Sequence, residues 1–177
     1  MLERDTEKGG RLRRVIWAGP AVFLIHDLEE LATIEAWTRL HGDRLPEVFR
    51  WILPIGTAEF GVAVGALLVV FIAGSWLADR AKGERGRAVD FFVLLIALLG
   101  TNALGHVGQA LVFGGYVPGL VTAVLLGLPY ACWGLLEVRR SGLRSARWQV
   151  AAVGVAAVLQ GPAAALAILI GKGLVSR

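Results

Sequence analysis

The sequence predicts an all-α integral membrane protein, and three observations support this fold class. First, 56% of the 177 residues are hydrophobic and the mean hydropathy is +0.64, which is more apolar than an ordinary soluble domain of this length. Second, the apolar residues fall into five long runs. Third, Lys and Arg lie in short segments between these runs and not on one face, which indicates membrane topology and argues against a nucleic-acid partner.

We therefore predict five transmembrane helices in a single membrane-embedded domain of residues 1–177. Residues 1–14 form a polar, basic lead-in that we expect to be cytoplasmic and partly disordered. Each apolar run has about 20 or more residues, enough at 1.5 Å per residue to cross a hydrocarbon core of roughly 30 Å. The predicted helices cover, in chain order, about residues 15–38, 51–78, 88–113, 119–138 and 148–170.

Local signals place the ends of these helices. Trp37 and Trp51 bracket the first polar connection, at the depth where interfacial aromatic residues usually lie. Residues 79–87 alternate in charge and form a short solvated loop, and the Gly-rich and Pro-containing residues 114–119 form a tight turn. Pro129 is expected to kink helix four, and the basic residues 139–147 separate it from helix five.

The distribution of basic residues predicts the orientation in the cell membrane. With five spans, thirteen of the 18 Lys and Arg residues fall on the side of the N-terminus. The positive-inside rule then places the N-terminus in the cytoplasm and the C-terminus outside, as in a multi-pass membrane protein. The single Cys132 excludes an internal disulfide.

Helix one carries an unusual set of ionisable residues for a membrane span. His26 and Glu30 stand at i and i+4, so they share a face, and Glu29 lies at its edge. Asp27 points about 100° away from His26 and is expected to act at most as a supporting partner. An acidic residue at the centre of a membrane helix costs roughly 2.5–3.5 kcal/mol on insertion scales, so this set predicts a functional site.

Two further helices offer polar residues at a similar depth. Asn102 and His106 lie on one face of helix three, and helix two contributes Glu59. Counting from the predicted outer ends, these residues, His26 and Glu30 lie between about 10 and 18 Å deep, so we expect them to converge in one pocket in the outer half of the bundle. Gly61 and Gly65 form a GxxxG pattern that predicts close helix packing or a homo-oligomer contact.

The string from His26 to Glu30, followed by Glu59 and by residues 102–106, resembles the HXXEE-domain family of small multi-pass membrane proteins. The resemblance covers the chain from the first helix to at least the third. It implies a polar site within the membrane and says little about the reaction, because the family is defined by its motifs.

The residue types favour a metal-dependent enzyme that acts on a hydrophobic or membrane-proximal substrate. Neutral His and ionised Glu are ligands for divalent ions, whose charge offsets that of buried carboxylates. We expect one or two Fe or Zn ions. The predicted ligands are His26, Glu29, Glu30, Glu59 and His106, and Asn102 is expected to orient them; the same six residues are the catalytic candidates.

Two other readings stay open at this point. One is metal-free acid–base catalysis, such as isomerisation or cyclisation of a lipid or isoprenoid, in which Glu30 or Glu59 is the acid and His26 or His106 the base. The other is a non-catalytic module that binds a ligand or an ion in the membrane. Conduction across the bilayer is disfavoured, since the polar residues form one layer and not a chain.

Overall fold

The computed structural model describes residues 2–47, 53–81 and 84–176, with side chains described from residue 9 onward. The described residues form helices and turns without a strand, which confirms the all-α prediction. A short 3₁₀ turn, Gly42–Arg44, follows the first helix. The five long helices are α1 (Leu2–His41), α2 (Thr57–Arg80), α3 (Arg87–Phe113), α4 (Leu120–Arg140) and α5 (Ala146–Val175).

Four of these helices, α2 to α5, are long and apolar enough to cross a membrane. The prediction of five such spans is wrong, because α1 has no apolar stretch of that length with so few charged residues. Asp27, Glu29 and Glu30 fall within four positions, so every 18-residue stretch in the apolar part of α1 contains at least three charged residues. Helix α1 instead packs against α2 and α4, and of these residues Asp27 is buried while Glu29 and Glu30 are partly buried. The predicted orientation assumed five spans and stays a prediction.

Helix α1 begins at Leu2, thirteen residues before the predicted start at Val15, so the expected disordered lead-in is helical. The reason lies in packing. Leu12, Val15 and Ile16 are at most 8% exposed and belong to the main apolar core, which continues the helix past the predicted boundary. The residues before them include several good helix formers with Lys, Arg and Glu side chains.

Helix α2 begins at Thr57, six residues later than predicted from the apolar run. Trp51, the predicted first residue, lies outside the described residues. Residues 53–56 are not helical, and Pro54 explains this: proline lacks the backbone donor and disfavours helical geometry in the residue before it. The C-terminal part of α1 contacts the first residue of α2. Glu35 accepts hydrogen bonds from the Thr57 hydroxyl at 2.5 Å and from the Thr57 N–H at 3.0 Å. These bonds hold the pKa of Glu35 below its ordinary value.

Helix α4 contains a π-helical segment, Ala123–Gly127, immediately before Leu128 and Pro129. Proline cannot donate the hydrogen bond that a regular α-helix needs at this point. The backbone N–H of Leu128 bonds to the carbonyl of Ala123, five residues earlier, so the irregularity predicted at Pro129 takes the form of a π-bulge.

The apolar core occupies the part of the bundle next to the first half of α1. Phe92, Val93, Ile96 and Val138 are at most 1% exposed and pack there with Val15. A second, smaller cluster contains the buried Ile55 and Ile168 and lies near the other end of α1. The polar residues of the motif lie between these two clusters along α1, so the apolar core supports them from both sides.

The contact between α2 and α5 gives a first testable prediction. A Cβ on Gly171 would overlap the backbone carbonyl of Glu59, whereas a Cβ on Gly173, two residues further along α5, would meet nothing within 4 Å. Gly171→Ala should therefore lower the free energy of unfolding by about 1–3 kcal/mol through overpacking. Gly173→Ala should raise it by about 0.5–1 kcal/mol, because Ala favours a helix over Gly. Unfolding of both variants in detergent, followed by circular dichroism, tests this; equal effects would contradict the packing.

Candidate metal centre

His26 and Glu30 of α1 and His106 of α3 meet in the interior of the bundle. Glu30 Oε1 lies 2.7 Å from His106 Nε2 and 3.3 Å from His26 Nε2. The His26 side chain is fully buried, and the side chains of Glu30 and His106 are 12% and 10% exposed. One ligand atom from each residue lies within 4.8 Å of the other two. The three side chains, defined here as the His/Glu centre, therefore point at one small volume.

Helix geometry explains how two chain segments 76 residues apart form this centre. His26 and Glu30 are one turn apart on α1, and Asn102 and His106 are one turn apart on α3, so each helix presents two groups on one face. The imidazole rings meet edge to face, with 5.0 Å between their centroids. The predicted convergence of helices one and three is therefore present in the structure.

Asn102 lies beside both imidazoles, and Gln160 of α5 orients it. Gln160 Nε2 donates to Asn102 Oδ1 at 2.6 Å, which leaves the amide nitrogen of Asn102 at 2.9 Å from His26 Nε2 and 3.1 Å from His106 Nε2. An amide N–H only donates, so an Nε2 atom that accepts from Asn102 carries no proton, and His26 Nε2 takes this role. His106 Nε2 also faces Glu30 Oε1 at 2.7 Å, a contact that needs a proton or a cation between the two atoms. An imidazole binds a metal ion through an unprotonated nitrogen.

The second ring nitrogen of His26, Nδ1, is also hydrogen-bonded. It lies 2.9 Å from the Thr122 hydroxyl, and that hydroxyl donates to Glu29 Oε2 at 2.6 Å. With Nε2 unprotonated, Nδ1 carries the proton and donates it to Thr122. A histidine that binds a metal is usually held through its second nitrogen in this way. His106 differs, since its buried Nδ1 has no partner within the described part of the chain.

Glu29 belongs to this supporting chain and lies apart from the His/Glu centre. It accepts hydrogen bonds from the N–H groups of Val121 and Thr122 at 3.2 and 2.7 Å, and from the Tyr116 hydroxyl at 2.8 Å. The carboxylate thus caps the N-terminus of α4, where free N–H groups and the helix dipole favour an anion. The structure therefore does not bring Glu29, a predicted ligand or base, to the point where His26, Glu30 and His106 meet.

Glu59 is a second predicted site residue that lies outside the His/Glu centre. Because α2 begins at Thr57 and not at Trp51, Glu59 lies in the first turn of α2. Its side chain accepts a hydrogen bond from the N–H of Gly56 at 2.5 Å, as in a capping box. Glu59 is absent from the group of described residues that can share an ion.

A cavity of about 320 Å³ opens beside the centre, between α1, α2, α3 and α5. Glu30 of the centre lines the cavity, and so does Asn102, which lies beside both imidazoles of the centre. Asp27, which the sequence analysis placed at the margin, is 7% exposed and also lines this cavity. The first-helix motif therefore divides three ways: His26 and Glu30 form the centre, Glu29 caps α4, and Asp27 faces the cavity.

Sequence reasoning gave no signal for Thr122 and Tyr116. A single Thr in the apolar fourth helix is ordinary, and Tyr116 lies in a turn where it resembles an interfacial anchor. Only the folded structure shows that the turn of residues 114–119 brings both hydroxyls against Glu29. Gln109, three residues after His106 on α3, is exposed and is not among the residues that line the cavity.

The fold and the centre define a class: a helical bundle with four apolar candidate spans, whose interior holds two histidines and a carboxylate. The chain belongs to the family described as "Protein of unknown function with HXXEE motif", whose profile matches residues 17–134, and this confirms the resemblance inferred from the motif. The matched region includes all three residues of the His/Glu centre. Searches of curated proteins and of solved structures find no match.

Proposed function

We propose that this protein is a membrane metalloenzyme in which His26, Glu30 and His106 bind one divalent ion. The observation that carries the proposal is the close approach of three potential ligand atoms, one each from His26, Glu30 and His106, within 4.8 Å of one another. Glu30 Oε1 and His106 Nε2, 2.7 Å apart, attract each other only if a cation or a proton lies between them. An ion bound at about 2.0–2.2 Å in tetrahedral geometry would hold neighbouring ligand atoms about 3.3–3.6 Å apart. Glu30 Oε1 and His26 Nε2 lie 3.3 Å apart.

The ligand set favours a single Zn or Fe(II) ion. Two imidazoles and one carboxylate suit both metals, and three protein ligands leave a coordination position for water or substrate. A second ion would need further carboxylates at the centre. Glu29 and Glu59, the sequence candidates for that role, are engaged at the N-termini of α4 and α2. This supports one ion over two.

The adjoining cavity supports catalysis over a purely structural ion. Glu30 and Asn102 connect the centre to an apolar space that a hydrophobic molecule within the membrane can enter. An ion at this position would act as a Lewis acid on a polar group of that molecule or on a bound water. We therefore propose a hydrophobic small molecule as substrate and the cell membrane as location, with the basic loops between α2 and α3 and between α4 and α5 on the cytoplasmic side.

Metal-free acid–base catalysis is the second candidate, and one observation favours it. Asp27 and Glu30 place two buried carboxyl groups on the wall of one cavity, so a proton on Glu30 could replace the ion between Glu30 and His106. A non-catalytic binding module would use the same cavity. The homo-oligomer contact at Gly61 and Gly65 stays a proposal; Gly61 packs near Leu31 of α1, while a Cβ on Gly65 would meet nothing within 4 Å.

Elemental analysis of the detergent-purified protein tests the metal proposal. We expect close to one Zn or Fe ion per chain in the wild type, and a loss of most of it in His26→Ala and in His106→Ala. His41→Ala is the matched control, because His41 stacks on Trp37 and bonds to its backbone carbonyl, away from the centre. A wild type that stays metal-free after reconstitution with Zn²⁺ or Fe²⁺ would overturn the metal reading and favour acid–base catalysis.

A further inference from the structure

The cavity beside the centre is long, narrow and mostly apolar. The residues of α2 that line it run from Phe60 to Phe71, and those of α3 run from Phe91 to Asn102, so each wall extends about 16 Å at 1.5 Å per residue. A volume of about 320 Å³ spread over that length fits one extended hydrocarbon chain better than a fused-ring molecule.

Polar groups occur at one region of this cavity only. Asp27, Glu30, Asn102 and Gln160 are its polar lining residues, and Phe, Leu, Val, Ile and Ala side chains supply the rest of the wall. Glu30, Asn102 and Gln160 are already bonded to one another or to the histidines. A ligand therefore meets apolar walls along its length and an acidic group, Asp27, near the His/Glu centre.

Asp27 lacks the partner that a buried carboxyl group needs. Its residue is 7% exposed, and its Oδ2 atom is buried without a hydrogen-bond partner among the described residues. A buried polar group left without a partner costs about 1–3 kcal/mol, and more when it is charged. A carboxylate accepts hydrogen bonds through both oxygens, and a protonated carboxyl group still accepts through one of them, so in either state a donor fits this part of the cavity.

We propose that the cavity binds a single-chain amphiphile whose head group donates a hydrogen bond to Asp27, as a hydroxyl or an amine does. The alkyl chain lies along the apolar wall between α2, α3 and α5, and Asp27 places the head group beside the His/Glu centre. This inference deepens the proposed function, on which it rests, by naming the chemical class of the substrate. It assigns Asp27 to head-group recognition and leaves metal binding to the other residues of the motif.

The test compares three probes of equal chain length: dodecan-1-ol, dodecylamine and methyl dodecanoate, which has no donor. Binding to the full chain in detergent is measured by native mass spectrometry. The wild type should bind the alcohol and the amine about tenfold or more tighter than the ester, as expected for one buried hydrogen bond to a carboxyl group. Asp27→Leu should remove this preference. Equal binding of the three probes to the wild type, or an unchanged preference in Asp27→Leu, would overturn the proposal.

Two controls keep the result interpretable. Asp27→Asn keeps the shape of Asp27 and adds a donor, so it should bind the ester more tightly than the wild type does; no such gain would count against direct head-group contact. Ala164→Phe, which adds bulk to the cavity wall from α5, should weaken all three probes, whereas Ala157→Phe on the same helix, outside that wall, should not. Equal weakening by both would place the ligand outside the cavity.

Metal content, measured on the same samples, separates this inference from the proposed function. If Asp27→Leu loses the head-group preference but keeps its metal, both proposals stand. If the wild type contains no metal and still prefers donor head groups in an Asp27-dependent way, the metal centre fails and the recognition role of Asp27 stands.

Discussion

Glu30→Gln is expected to lower the affinity for a divalent ion more than any other single substitution in the motif. Gln keeps the size of Glu30 but removes the charge that offsets the ion, and it replaces a strong ligand oxygen by a weak one. Loss of a residue that only orients a ligand typically costs about 10–100-fold in metal affinity, so Glu30→Gln should exceed that range. Competition with a metal-sensitive dye in detergent measures the affinity.

Two other glutamates, Glu29 and Glu59, serve as matched controls for Glu30→Gln. Glu29→Gln should weaken metal binding by about 10–100-fold, because Glu29 orients His26 only through Thr122. Glu59→Gln should leave it unchanged, since Glu59 caps α2 away from the centre. The order Glu30, Glu29, Glu59 is thus a prediction of the structure. Similar losses at Glu30 and Glu59 would show that the ion binds elsewhere.

Sequence reasoning reached the helical architecture and named all three residues of the proposed centre, for identifiable reasons. An apolar run of membrane-spanning length can be recognised in the sequence alone, and α2 to α5 each correspond to one such run. Residues at i and i+4 lie on the same face of a helix. The pairs His26 with Glu30 and Asn102 with His106 can therefore be recognised from the sequence, without knowing how the helices pack.

The sequence predictions failed where tertiary structure determines the position of a helix end or of a side chain. Apolarity alone did not locate the start of α2, because residues 53–56 contain Pro54 and leave the helix although the run continues. That shift moved Glu59 from the predicted pocket to a helix end. Asp27 lines the cavity between α1, α2, α3 and α5, a position that its angle of about 100° from His26 on the helix did not indicate. The role of Thr122 depends on a contact across 96 residues, which no local pattern reports.

The location of the polar residues also explains why α1 differs from the other helices. Helices α2 to α5 are apolar along membrane-spanning lengths, while α1 carries the buried His26 and Asp27 of the motif. Hydrogen bonds from α3 and α4 compensate His26 and Glu29, so the charges of α1 are acceptable only within the assembled bundle. Substitutions in the turn that connects α3 and α4 should therefore affect the centre directly.

Gly119→Ala, in this turn, is expected to damage both stability and metal binding. Gly119 has a φ of +78°, in the left-handed region where a non-glycine residue costs about 1–2 kcal/mol. A Cβ at this position would also lie 2.9 Å from Glu30 Cγ and Oε1 and 3.0 Å from His26 Cε1. Glu30 and His26 would have to move, so metal affinity should fall by about tenfold or more, as for other changes that misplace ligands.

Gly114→Ala separates the two effects, because Gly114 shares the backbone conformation of Gly119 but not its neighbours. Its φ is +72° at the end of α3, and a Cβ there would meet nothing within 4 Å. Gly114→Ala should therefore lower the free energy of unfolding by about 1–2 kcal/mol and leave metal affinity unchanged. Thermal unfolding and metal competition on both variants give the comparison. If Gly114→Ala lost metal as strongly as Gly119→Ala, backbone strain in the turn, and not contact with Glu30 and His26, would control the centre.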